Sequence, residues 1–186
     1  MNELPKVVAN ASETEVCDGT SVTLYGSGAT SYTWDSLVSD NVAFKQNVGT
    51  VIYTVTGKDN LGCTNTATKT IKVNELPTIS LTSDLAICIG NSTNLVASGA
   101  NSYVWSTTET GAIISVKPET TTKYTVTGTD NHSCSASKDV EVTVNALPII
   151  SLTSDLAICI GNSTNLTASG ANSYVWSTTE TGAIIS

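Results

Sequence analysis

Five cysteines, Cys17, Cys63, Cys88, Cys134 and Cys159, are the residues of this chain best suited to covalent chemistry. They stand singly, without the close Cys-x-x-Cys pairs that preorganise a zinc site, so their spacing points to disulfides rather than to a metal. Cys17 and Cys63 are 46 residues apart, as are Cys88 and Cys134. One bridge inside each complete repeat is therefore the leading expectation, worth about 4 kcal/mol in the chain-entropy model, with Cys159 left unpaired in the segment. The alternative, Cys63 with Cys88 and Cys134 with Cys159 at a constant spacing of 25, would clip neighbouring repeats together. The first pairing carries a topological difficulty, because the loops joining the first two and the last two strands of a simple sandwich lie at opposite ends. Any of these bridges implies an oxidising compartment.

Other candidates for chemistry are thinner. His132, the sole histidine, sits in Asp130-Asn131-His132-Ser133 with no second imidazole and no nucleophile to serve. Lys58-Asp59-Asn60 and Thr129-Asp130-Asn131 offer oxygen ligands to calcium, but one carboxylate per turn is little, and Asp and Asn favour turns for backbone reasons. No metal site and no cofactor is expected. Tyr32-Thr33-Trp34, Tyr103-Val104-Trp105 and Tyr174-Val175-Trp176 would suit sugar stacking if exposed. The simpler reading makes Trp34, Trp105 and Trp176 core residues, with Tyr53 and Tyr124 beside them. Asn10, Asn91, Asn131 and Asn162 begin Asn-x-Ser/Thr triplets, which mark surface loops.

The elements that must position these residues are repeated. Trp34, Trp105 and Trp176, Cys17, Cys88 and Cys159, and Leu24, Leu95 and Leu166 recur with a period of 71. Segments 77–115 and 148–186 differ only at Thr78/Ile149 and Val96/Thr167. Within the second repeat, Thr78–Thr82, Ser92–Ser98, Ser102–Ser106, Ala112–Lys117, Thr122–Gly128 and Ser137–Val144 alternate apolar and polar residues or are rich in β-formers. Turn residues separate them. The pattern predicts an all-β chain of tandem Ig-like β-sandwich repeats: 1–76, 77–147, and 148–186 as the N-terminal half of a third. Leu95, Trp105, Ile114, Tyr124, Val126, Val142 and Val144 are the expected core of the second.

Composition narrows the partners. Net charge is −8, every basic residue is lysine and none cluster, which disfavours nucleic acid. No apolar run approaches the roughly 20 residues that span a bilayer, so no membrane insertion is expected of this segment. Met1-Asn2-Glu3-Leu4-Pro5 is no signal peptide, and Asn-Glu-Leu-Pro recurs at 74–77, so the segment reads as cut at a repeat boundary from a longer exported protein.

The motifs Leu-Pro-x-Ile-Ser, Ile-Cys-x-Gly-x-Ser, Leu-x-Ala-Ser-Gly-Ala, Tyr-x-Trp-Ser, Thr-x-Tyr-Thr-Val-Thr-Gly-Thr-Asp and Val-x-Val-Asn, best matched over 77–186, resemble the tandem Ig-like repeats of giant Bacteroidetes cell-surface adhesins, those of gliding motility above all. Repeat one departs at 38–48, where Phe44-Lys45-Gln46 replaces a Thr/Gly-rich stretch. The resemblance implies type IX secretion, display at the cell surface as a long filament, and attachment to a surface polysaccharide or other substratum while cell-surface motility machinery moves the adhesin. Independently of it, short Leu-Pro linkers between sandwiches would give an extended, non-catalytic rod whose neighbours are further repeats. The competing reading is a discrete carbohydrate-binding module, which needs exposed aromatic residues in each copy.

Overall fold

A computed structural model describes residues 3–153 and 156–186; Met1 and Asn2 of the opening pentapeptide lie outside the described residues, as do Ser154 and Asp155. The described chain is all β and forms Ig-like sandwiches.

Alternation of Val22 and Leu24, of Tyr53 and Val55, and of Ile71 and Val73 buries one face of each strand, and two such faces close over each other. The strands of the first sandwich are β1 (Val8–Ala11), β2 (Glu15–Cys17), β3 (Ser21–Ser27), β4 (Ser31–Trp34), β5 (Ala43–Lys45), β6 (Gly49–Lys58) and β7 (Thr64–Asn74). One sheet has the order β1-β3-β5, the other β2-β7-β6-β4. The second sandwich repeats this with β8 (Ser80–Leu81), β9 (Leu85–Cys88), β10 (Thr93–Ser98), β11 (Ser102–Trp105), β12 (Ile113–Val116), β13 (Thr122–Thr129) and β14 (Ser135–Asn145), in sheets β8-β10-β12 and β9-β14-β13-β11. In both, the leading segment divides between the sheets: β1 or β8 runs antiparallel to its neighbour, while β2 or β9 adds in parallel to the last strand. This is the Greek-key arrangement of an Ig-like sandwich.

Strand β9 was not among the expected strands. Leu85-Ala86-Ile87-Cys88 does not alternate in hydropathy, and only pairing with β14, Leu85 opposite Val142 through Cys88 opposite Asn145, makes it a strand. The core of the second sandwich comprises Ile79, Leu95, Ala97, Tyr103, Trp105, Ile114, Val116, Tyr124, Val126, Val140 and Val142. Val144, expected inside, is only half-buried, and Val140 takes its place.

Beyond Asn145 the chain forms a single three-stranded sheet, β15 (Ser151–Leu152), β16 (Leu166–Ser169) and β17 (Ile184–Ile185), in that order. Among the described residues no second sheet faces it. Trp176, expected in a core, is therefore only half-buried, beside an open cleft of about 400 Å³ lined by Ile150, Leu152, Ala168, Tyr174 and Val175.

The entry of each repeat is fixed by one glycine. A Cβ on Gly99 (φ +97°) would lie 1.9 Å from the Thr78 carbonyl oxygen, and Gly28 and Gly170 meet Lys6 and Ile149 in the same way. Gly90 (φ +89°) has open space around it. Gly99→Ala is therefore expected to lower the stability of the second sandwich by roughly 2–3 kcal/mol, because the leading segment must move as well as the φ strain be borne, whereas Gly90→Ala should cost about 1 kcal/mol from strain alone. Urea unfolding of the two variants checks this; equal losses would show that the close approach to Thr78 is unimportant.

Candidate functional site at the junction of the sandwiches

Three residue sets converge where the first sandwich meets the second. Cys17 ends β2 opposite Asn74, the last residue of β7, at the far end of the first sandwich from its N-terminus. The turn that follows, Cys17-Asp18-Gly19-Thr20, is closed by the Thr20 amide donating to the Cys17 carbonyl (3.0 Å), with Gly19 at the positive φ of +82° that a type II turn requires at its third position. Asp18 N–H donates to the Asn74 carbonyl at 2.8 Å, tying the turn to the strand that leads into the next sandwich.

From the second sandwich comes the hairpin loop between β13 and β14. Asp130 Oδ1 accepts from the amides of His132 and Cys134, each at 2.8 Å, and the Asp130 amide donates to the Cys134 carbonyl at 2.9 Å. The first sandwich holds Cys63 identically, with Asp59 Oδ1 accepting from the Leu61 and Cys63 amides. These carboxylates organise the loop that presents a cysteine, and that accounts for their place in the turns considered above for calcium. Among the described residues no cluster of three His, Cys, Asp or Glu side chains could hold a metal.

Cys17 is bonded to Cys134, with a Cα–Cα distance of 5.5 Å. The expected pairings Cys17–Cys63 and Cys88–Cys134 are thereby corrected, and so is the alternative of Cys63 with Cys88 and Cys134 with Cys159; Cys63, Cys88 and Cys159 are free thiols. Strand length is the reason. Cys63 precedes β7 and Cys17 lies opposite its far end, so the 11 residues of β7 hold them roughly 35 Å apart, where a bridge needs Cα atoms within about 7 Å. β14, also 11 residues, separates Cys134 from Cys88 in the same way. It also separates Cys134 from the chain that follows Asn145, and hence from Cys159. Head-to-tail stacking is what brings two half-cystines together.

Polar residues surround the bridge. Glu15, on β2, takes an ion pair from Lys72 Nζ at 2.8 Å and a hydrogen bond from Asn74 Nδ2 at 2.8 Å. Those hydrogen bonds, Lys72 first, and then the Lys72 charge hold its carboxyl below the usual glutamate range; His132, reaching across from the second sandwich, acts in the same direction. Asn74 is buried, whereas Asn145, its counterpart at the end of the second sandwich, is exposed. None of Glu15, Asn74, Asp59 or Asp130 was singled out for this role by the sequence, although the repeated Asp-x-x-x-Cys spacing of Asp59/Cys63 and Asp130/Cys134 is a visible signal.

The aromatic residues lie elsewhere. Trp34 and Trp105 are 5% and 2% exposed, and Tyr53 and Tyr124 are buried with them. Trp105 Nε1 donates to the Gly111 carbonyl at 2.9 Å, and Trp34 Nε1 to Asp40 Oδ1 at 2.7 Å. The Tyr103 hydroxyl accepts from the Ala100 amide and donates to its carbonyl. Neither complete sandwich presents an indole face to a sugar.

No family model matches the chain, and no curated protein does. Among solved structures, the N-terminal Ig1-2 module of the Drosophila receptor protein tyrosine phosphatase DLAR is 12% identical, covering 77% of this chain and 100% of its own, with a TM-score of 0.32. The Ig1 and Ig2 domains of DIP-gamma are also 12% identical, covering 77% of this chain and 99% of their own at a TM-score of 0.34. SGBP-B of the Bacteroides ovatus mixed-linkage glucan utilization locus, in complex with a mixed-linkage heptasaccharide, is 16% identical over 72% of this chain and 44% of its own, at a TM-score of 0.19. Similarities of this size assign neither a family nor a ligand.

Proposed function

We propose that this chain is a non-catalytic, load-bearing segment of an extracellular adhesin or filament, in which tandem Ig-like modules beginning near residues 77 and 148 supply length and surface attachment. The observation that carries the reading is the Cys17–Cys134 bridge, which ties the end of one sandwich to the start of the next. A covalent tie across a joint resists bending and pulling, and it belongs to an oxidising, extracellular setting. Within this reading the repeat motifs favour a surface protein resembling the gliding adhesin SprB, exported by type IX secretion, moved by cell-surface motility machinery and gripping a polysaccharide or other substratum. Burial of Trp34 and Trp105 counts against the competing carbohydrate-binding module, because it removes the stacking platform from both complete copies.

Pulling the chain by its two ends in single-molecule force spectroscopy tests the mechanical part. The bridge spans a sequence separation of 117 residues, so about 400 Å of contour should be withheld from extension until a reductant is added. Release of both complete sandwiches under oxidising conditions would sink the load-bearing reading.

A further inference from the structure

One pairing rule accounts for all five cysteines. The bridge joins a cysteine at the end of β2 to one in the last hairpin of the following sandwich, 117 residues later. Cys88 is the counterpart of Cys17, displaced by one period of 71, and Cys63 is the counterpart of Cys134. Under the rule the partner of Cys88 lies 117 residues beyond it, that of Cys159 likewise, and that of Cys63 lies 117 residues before it; each position falls beyond residues 1–186. The three thiols that are free are those three.

The local geometry is already in place. Cys88 is presented by the turn that presents Cys17: the Asn91 amide donates to the Cys88 carbonyl at 3.1 Å, Gly90 has φ +89°, and the Ile89 amide donates to the Asn145 carbonyl as Asp18 does to Asn74. Cys159 and Gly161 repeat the turn. Cys63 is presented by the same Asp-closed loop as Cys134. What differs is coverage. Cys134 is fully buried and Asn74 is buried at the joint that has formed, whereas Cys88 and Asn145 are exposed.

We propose that Cys88 and Cys63 are half-cystines of further junction bridges, and that the partner each takes is another module of this type in the same polypeptide, so that every joint of the array is stapled. The proposal rests on the load-bearing reading above. Each bridge forms by thiol–disulfide exchange with a small disulfide such as oxidised glutathione: the two cysteine thiols lose two electrons and two protons, and the oxidant leaves as two thiols. The staples overlap, since the loop closed by Cys17 and Cys134 contains Cys88. A pulling force passes through one bridge to Cys134, along the 25 residues to Cys159, and into the next bridge. Those 25 residues reach about 85 Å when fully extended. Two folded modules, each about as long as the 11-residue β14, already span roughly 70 Å. An array stapled in this way scarcely lengthens even if its sandwiches open.

The test inserts a second copy of residues 77–147 between Leu147 and Pro148, adding only sequence that forms a sandwich here, and refolds the chain with reduced and oxidised glutathione. Non-reducing peptide mapping after alkylation should link Cys88 to the inserted copy of Cys134 while Cys17 stays linked to Cys134, and Cys88→Ser should abolish the first link alone. Burial of the added tryptophan, read by its fluorescence, confirms that the inserted module has folded. An alkylated Cys88 in that folded chain with Cys17–Cys134 intact would overturn the proposal and leave the load-bearing reading standing. Loss of both links, or Cys88 joined to Cys134 of its own module, would overturn both.

Discussion

Cys17→Ser is expected to destabilise the paired sandwiches by about 5 kcal/mol, because the bridge it removes closes a loop spanning a sequence separation of 117 residues and the chain-entropy cost of such a loop grows with the logarithm of its length. The loop runs from β3 to β13, so it contains strands of both sandwiches, and the loss should register at Trp34 and at Trp105 alike. Cys17 is the better member to change: it is only half-buried, whereas Cys134 is fully buried and a serine there would add the cost of an unsatisfied hydroxyl. Cys63→Ser supplies the control, since that thiol is free and its replacement should shift stability by less than about 0.5 kcal/mol. Urea unfolding under non-reducing conditions measures both. A Cys17→Ser loss no larger than that of Cys63→Ser would mean that the bridge does not constrain the chain in solution.

The part of the molecule legible in the sequence is the part that local pattern dictates. Alternation in Tyr124-Thr125-Val126 and its neighbours placed β13, and Gly, Asn and Asp runs placed the turns, because a half-buried strand must alternate and a reversal needs residues that tolerate it. Strand β9 was illegible because its four residues become a strand only by lying along β14. The disulfide was misread for a different reason. Any two cysteines per 71-residue repeat generate constant separations of 46 and of 25, and equally of 117, so constancy says nothing about which pair is bonded. Geometry decides it: 11-residue strands put the two cysteines of one sandwich at opposite ends, and stacking then offers each a partner next door. The clue was the expected conflict between loop positions and an intramodule bridge. Asp130 was legible as a turn former, but its function, to aim Cys134, depends on Cys17, which lies 117 residues before Cys134 in the preceding sandwich.

Trp105 and Trp176 sit in nearly identical sequence, and this makes their substitution a controlled experiment on what the second sheet contributes. Trp105 is 2% exposed between two sheets, packed with Leu95, Ile114, Tyr124 and Val126 and hydrogen-bonded to Gly111. Trp176 makes the same hydrogen bond to Gly182, but it stands half-exposed over one three-stranded sheet. Trp105→Ala removes a large buried surface and leaves a cavity that rigid sheets cannot collapse, for an expected loss of about 3–5 kcal/mol. That is a large share of the stability of a sandwich of this size, so near-ultraviolet circular dichroism at 25 °C should show the second module partly or wholly unfolded while Trp34 still reports a folded first module. Trp176→Ala has little buried surface to lose and should change unfolding by less than about 1 kcal/mol. Equal losses at the two positions would mean that Trp176 is covered in solution, by another copy of the chain, and concentration dependence of the unfolding midpoint would then follow.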